Sequence, residues 1–214
     1  MFRLMTPQGL DYEPAPEASV AAEAKRTGKD PRAIVYDMLM EKDGRGYVYL
    51  PLLNYAEFNF DHIHEMLQSD RTVLSLSDGG AHCGVLVDAS VPTYMLTYFS
   101  RDRQRGPTMS PEFIVHKMTR DTAELYGLHD RGLLQAGFKA DLNIIDYDNL
   151  KLHKPEMVYD LPGGGKRLVQ GADGYKATIC SGVVTYEDGA HTGELPGRLI
   201  RGGQGTDNGK TVVQ

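Results

Sequence analysis

The stretch Ser77-Asp78-Gly79-Gly80-Ala81-His82 decides how this chain is read. It follows Arg71-Thr72-Val73-Leu74-Ser75-Leu76, a short β-branched and aliphatic run with the composition of a buried strand. On that reading the carboxylate of Asp78 sits where the strand ends and a loop begins. Gly79 and Gly80 let the backbone turn sharply or approach a ligand closely. An imidazole, His82, returns four residues after the carboxylate. The carboxyl end of a strand is where a β/α barrel carries its catalytic groups. The same spacing is also ordinary turn chemistry, with Asp-Gly-Gly closing a strand and His82 on the surface.

Outward from this loop, helix and strand signals alternate. Residues 19–27 are alanine-rich and helical, with Gly28 as a stop. Asp30 caps a second helix, with Pro31 in its first turn and Ile34, Val35 and Met38 facing inward. Residues 47–53 carry a strand signal. Residues 57–68 read as a helix with Phe60, Ile63 and Leu67 on one face. Residues 92–100 form an aromatic-rich helical segment. Ser110-Pro111-Glu112 opens a helix that runs to Gly127, with Ile114, Met118, Thr122 and Leu125 on one face.

After Leu128 glycines multiply and apolar runs shorten. Strands are expected at 140–146, 175–180 and 183–186, the last two joined near Ser181-Gly182, with a turn at Asp188-Gly189. Residues 160–167 lack the Lys-Ser/Thr pair and following helix of a phosphate loop and read as a flexible loop. Residues from Gly202 onward read as a frayed tail. The chain is thus α/β, with helix and strand alternating over residues 1–130 and a small β domain over 131–214.

Composition narrows the function classes. The 214 residues have room for one large or two small domains. A hydrophobic content of 41% with 24% charged residues is that of a soluble globular protein. A net charge of −6 argues against a nucleic-acid backbone as partner. No apolar run approaches a membrane span, and residues 1–10 lack the apolar core of a signal peptide. The only cysteines, Cys83 and Cys180, are far apart and read as free thiols in a reducing cytoplasm. Cys83 lies beside the Asp78 loop, but no base is assigned to it, and a small buried thiol is the commoner case.

Several motifs, taken in order, carry a family likeness. Asp11-Tyr12-Glu13-Pro14, Tyr36-Asp37-Met38-Leu39, Leu53-Asn54-Tyr55, the Asp78 loop, Arg101-Asp102-Arg103 and Thr119-Arg120-Asp121-Thr122-Ala123 resemble the late part of an amidohydrolase-superfamily enzyme. The run from Asp130-Arg131-Gly132 to Gly137-Phe138-Lys139-Ala140-Asp141-Leu142 resembles the link from barrel to β domain in that superfamily. The subgroup resembled is the N-acyl-D-amino-acid deacylases, or D-aminoacylases.

The resemblance implies a TIM-like β/α barrel holding one or two zinc ions and a small β-sandwich. Residues 1–130 would be its last strands and helices, because a whole barrel needs roughly 250 residues. The implied reaction is amide hydrolysis of an N-acyl-D-amino acid. Asp78 matches the aspartate that takes a proton from the metal-bound water and passes it to the leaving nitrogen. Zinc lowers the pKa of its water towards 7, and a nearby carboxylate accepts the proton.

The ligand set implied by the resemblance is not met by the histidines of this chain. The one His-x-His is His62-Ile63-His64, in a stretch read as helix, where residues two apart point about 200° apart. His116 falls opposite the apolar face of its helix, and His129, His153 and His191 have no partners at ligand spacing. Zinc takes three or four protein ligands. The chain offers Asp78 as a weak ligand, with Zn2+ expected in the complete enzyme and none held by these residues alone. His82, and Arg101 with its bidentate guanidinium, are the candidate substrate contacts. Two other readings remain open: a fragment or interaction module without activity, and a cyclic-amide hydrolase of the dihydropyrimidinase type. Unpaired sheet edges and apolar faces such as Phe60, Ile63 and Leu67 lead to an expectation of a homo-oligomer.

Overall fold

The computed structural model describes residues 1–200 apart from 8, 75, 76, 78, 79 and 81, and the backbone of the short strands Thr206–Asp207 and Lys210–Thr211. It is a mixture of helices and small antiparallel sheets. The expected frayed tail falls mostly outside the described residues. Packing divides the chain into two compact units, one made of Met1–Ser69 with Arg103–Pro107, the other of Asp70–Asp102 with Thr108–Gln214.

The first unit begins with Phe2–Arg3 paired antiparallel to Val48–Tyr49. Only those two residues of the expected 47–53 strand are paired. Helix α1, Val20–Thr27, starts where the Ser19 hydroxyl accepts the amide of Ala22 at 3.1 Å and ends at Gly28 in the left-handed region. Helix α2, Pro31–Gly44, is capped by Asp30, whose carboxylate accepts the Arg32 amide at 2.8 Å. Val20, Ile34 and Met38 interlock, with Ala24, Val35 and Val48 packed around them. The Gly28 stop, the Asp30 cap and the inward Ile34, Val35 and Met38 are the ones the sequence indicates; the Ser19 cap and Val20 emerge from the structure. The end of α2 differs, because Glu41, Lys42 and Asp43 leave helical geometry.

Helix α3, Asp61–Gln68, begins later than residue 57. Asn54 and Phe58 take positive φ, and the Asn59 side chain accepts the Asp61 amide at 2.9 Å, so the preceding stretch is a coil of local turns. Aromatic rings fill the space behind it: Tyr55 lies 6.3 Å from Phe2 and 5.1 Å from Phe60, centroid to centroid, both edge to face.

The second unit departs further from the sequence reading. Asp70 and Arg71 form a turn, Thr72–Leu74 lie outside the strands of the described residues, and Ser75 and Leu76 of the expected strand are not among those residues. The Thr72 carbonyl instead accepts the Lys117 ammonium at 2.7 Å. Helix α4, Val91–Tyr94, continues as a π-helix over Met95–Asp102. Helix α5, Pro111–His116, is capped by the Ser110 hydroxyl, passes through a π-wound turn at Lys117–Asp121, and resumes as α6, Thr122–Leu125. Gly127 closes it at φ +69°, and the Leu128 amide reaches back to the Ala123 carbonyl at 2.8 Å, a Schellman-type stop.

The π turn explains one misreading. Each π turn spends an extra residue, so the buried stripe slips in phase. Ile114, Lys117 and Ala123 face inward, while Leu125, expected inside, is 63% exposed. Hydroxyls occupy carbonyls along these wide turns: Thr97 reaches the Thr93 carbonyl at 3.0 Å, and Thr119 that of Val115 at 2.7 Å.

A four-stranded antiparallel sheet follows, in the order Ala190–His191, Val183–Glu187, Tyr175–Cys180, Leu142–Ile145. Its two tight turns are those expected, with Ser181-Gly182 and Asp188-Gly189 all at positive φ. Residues 160–167 are not a loop. They complete a separate hairpin, Glu156–Leu161 against Gly165–Val169, closed by a turn at Pro162–Gly164 and braced by Arg167 on the Asp160 carboxylate at 2.7 and 2.8 Å.

Candidate functional site

Asp78, the expected catalytic residue and weak metal ligand, lies outside the described residues, as do Gly79 and Ala81. The structure does describe both ends of their loop. Ser77 precedes it and lines a cleft. His82 follows it at φ 48°, a left-handed conformation uncommon outside glycine, with its imidazole exposed. The His82 carbonyl accepts amides from Val85 at 2.8 Å and Leu86 at 3.0 Å, so a tight turn fixes this end. One residue on, the Cys83 carbonyl accepts the Leu168 amide at 2.6 Å, which ties the loop to the hairpin strand Gly165–Val169. Cys83 is half-buried with a free thiol.

The cleft has a volume of about 370 Å3 and lies within the second unit. Leu74, Pro92, Leu96, Met118, Ile145 and Tyr175 form much of its wall. No Asp, Glu, Lys or Arg lines it among the described residues. The Tyr175 hydroxyl is engaged with that of Thr93 at 2.7 Å, and the Thr122 hydroxyl donates to the Lys117 carbonyl at 3.1 Å. Polar groups in the wall are thus largely occupied, and methyl and ring surface faces the space.

Arg101, the other expected substrate contact, is placed by the π-helix. Its guanidinium grips Asp102 at 2.6 and 2.9 Å, reaches the carbonyls of Tyr147 and Leu150, the latter at 2.8 Å, and stacks over the Tyr147 ring at 5.4 Å. The hydrogen bonds it donates to Asp102 hold its pKa above the ordinary arginine value. Its donors pin the turn at residues 147–150. His82 and Arg101 share no hydrogen bond among the described residues.

The other two arginines of that run enter the first unit. Arg103 is 4% exposed and Glu13 fully buried. Arg103 Nε donates to Glu13 Oε2 at 3.0 Å and Nη2 to Glu13 Oε1 at 2.8 Å, a bidentate pair. Nη2 also donates to Asp61 Oδ1 at 2.6 Å, and Nη1 to the Pro107 carbonyl at 3.1 Å. Glu13 Oε1 accepts the Phe60 amide at 2.6 Å as well, which satisfies an orphan donor at the start of α3 and places a negative charge at its positive end. A Cβ at Gly106 would lie 2.5 Å from the guanidinium and from Asp61 Oδ1, so only glycine lets the backbone approach that closely.

Around this pair, Arg105 donates to the Glu13 carbonyl at 2.6 Å. The Tyr55 hydroxyl donates to the Pro14 carbonyl at 2.7 Å, and the Tyr49 hydroxyl to the Tyr12 carbonyl at 3.1 Å. Burial pushes the Tyr55 phenol up to about 12 and raises that of Tyr49 further, so both stay neutral donors. Burial also raises the Asp11 carboxyl, against the lowering effect of the Glu13 amide it accepts. Two motifs that carry the family likeness, at 11–14 and 101–103, thus meet through Glu13 and Arg103. The likeness singles out both; nothing in either segment indicates that they pair.

The described residues do not form a zinc site. No three His, Cys, Asp or Glu side chains among them converge to hold an ion. His62 is exposed beside Glu57, whereas His64 is buried on the other side of α3 with its Nε2 unpartnered among the described residues. His116 pairs with Asp121 and His153 with Asp173, each at 2.9 Å. No helix of the described residues is long and apolar enough to cross a membrane.

Comparison with known proteins adds one finding. The model of the amidohydrolase family matches residues 15–186. Searches of curated proteins and of solved structures returned no match.

The ionic cluster yields two predictions. Arg103→Met leaves the Glu13 carboxylate buried without its cation and should cost about 3–5 kcal/mol in urea unfolding. Adding Glu13→Gln should recover part of that loss, because it removes the unpaired charge and keeps an acceptor for the Phe60 amide. The second concerns Asp11. Its folded pKa is raised, so the fold binds that proton more tightly than the unfolded chain does. The group therefore lowers stability as pH rises through 3.8 towards the raised value. Asp11→Asn keeps the acceptor for the Glu13 amide and removes the charge. Its melting temperature should exceed that of the wild type at pH 7, and the difference should shrink below pH 3.8.

Proposed function

The chain belongs to the amidohydrolase family, a family of hydrolases, and on that premise we propose that it serves hydrolysis of the amide bond of N-acyl-D-amino acids. The observation that carries this reading is the order of motifs from Asp11-Tyr12-Glu13-Pro14 to the Asp130–Leu142 run, most of which lies inside the matched residues 15–186. The order runs through the Asp78 loop, and no single motif in it would be specific.

In this reading water adds to the amide carbonyl, a C–O bond forms and the C–N bond breaks. Asp78 accepts the proton of the water and delivers it to the leaving nitrogen, which departs as the amine of the free D-amino acid. A carboxylate suits both halves of that transfer. A zinc ion would supply Lewis acidity and a more acidic water when bound. The described residues do not hold it, so no step is assigned to it. His82, exposed and held in its turn, is placed to meet the substrate. Phe60 and Leu67 are buried within the chain, so the proposal that it self-associates rests on other apolar side chains, such as exposed Leu52 and Leu53.

Asp78→Asn tests the assignment. In the full-length gene product, kcat for an N-acyl-D-amino acid should fall about 10²–10⁴-fold, the usual share of general acid–base catalysis. Zinc content by atomic emission should stay within a few tenths of the wild-type value. Near-normal turnover in the variant would remove Asp78 from the chemistry.

A further inference from the structure

We infer that the cleft beside Ser77 is the pocket for the acyl chain of the substrate, and that it takes an uncharged aliphatic group. This deepens the proposed function and rests on it for the identity of the reaction.

Three observations support the assignment. The first is position: Ser77 lines the cleft, and the next residue in the chain is Asp78, the proposed catalytic residue. The second is size. A space of about 370 Å3 falls in the range of small-molecule sites, roughly 300–1,000 Å3. The third is charge. An N-acyl amino acid has one charged half, which bears the carboxylate, and one neutral half, the acyl chain. No cation lines the cleft among the described residues, and the hydroxyls of Thr93, Thr122 and Tyr175 bond to protein groups. A carboxylate there would lose its hydration without compensation. The D-amino-acid side chain shares a carbon with that carboxylate, whereas the acyl chain is held away from it by the amide. The acyl chain is therefore the half that fits. Tyr126 and Asn143, both exposed, also line the cleft.

Thr119 also lines the cleft and is exposed, so a larger side chain there fills the space from outside without disturbing the core. The test uses the full-length gene product with zinc and a series of N-acyl-D-leucines from acetyl to decanoyl. In the wild type, kcat/KM should rise up to about fourfold per methylene over the first several carbons. Thr119→Trp should flatten that rise, with the largest loss in kcat/KM on the longest acyl chains. Tyr126→Ala, matched to the wild type in thermal melt, serves as the second variant and should shift the preferred chain length upward.

A parallel measurement reads binding without turnover, by calorimetric titration of octanamide into both proteins. The wild type should bind it and Thr119→Trp should not. A length dependence that persists unchanged in Thr119→Trp would overturn the inference. So would a flat acyl series with a rise along the D-amino-acid side chain, which would give the cleft to that side chain. If no N-acyl-D-amino acid is hydrolysed, the proposed function fails. Octanamide binding that Thr119→Trp abolishes would then still support an aliphatic pocket, and no binding would overturn it.

Discussion

The first unit depends on a charge pair taken out of water. Desolvating a carboxylate and a guanidinium costs several kcal/mol per ion, and a single contact between them does not offset it. Glu13 and Arg103 meet in bidentate geometry, and each spends further bonding capacity on its surroundings. Glu13 takes the Phe60 amide, and Arg103 takes Asp61 and the Pro107 carbonyl. The consequence is connective. Residues 11–14, the start of α3 and the segment Arg103–Pro107 are separated in sequence, and one buried pair gathers all three. That is why Arg103–Pro107 packs with the first unit although the residues on either side of it belong to the second. Gly106 is part of the same arrangement, since any side chain there would strike the guanidinium.

A different logic holds the second unit. Its helices pass through π-wound turns, and hydroxyl and ammonium groups occupy the carbonyls those turns and neighbouring coils present. The result is a wall of methyl and ring surface around the cleft, with the polar atoms turned to protein partners. The loop that carries Asp78 begins at that wall with Ser77 and ends at His82, whose turn is tied through Cys83 to the hairpin strand at Leu168. The cleft and the proposed chemistry are thus neighbours in sequence, and backbone hydrogen bonds hold the His82 end of the stretch.

What the sequence discloses is what local chemistry determines. Ser19, Asp30 and Ser110 cap helices as their residue types demand, and Gly28 and Gly127 end them in the left-handed region. Ser181-Gly182 and Asp188-Gly189 form the tight turns their types favour. Long-range events are the ones it conceals. Glu13 and Arg103 are ninety residues apart, and no local pattern marks them as partners. Leu125 fits a 3.6-residue stripe, but the π turn before it rotates the stripe by a residue. Thr72–Leu74 have a strand's composition but lie outside the strands of the described residues, and the glycines of residues 163–165 turn a hairpin where a loop is expected. At the site, the Asp78 loop is legible from its glycines and its place in the motif order. The uncharged cleft next to it is not, because its walls come from five separated stretches of chain.

Family membership places the chain among hydrolases, and the central claim is the bond it serves to break. That claim is tested most directly by chiral chromatography of the amino acids released when the full-length gene product, supplied with zinc, acts on racemic N-acylmethionine. The account predicts free D-methionine and carboxylate in equal amounts, with the L-substrate left intact. Release of L-methionine, of both enantiomers alike, or of no amine at all would contradict it.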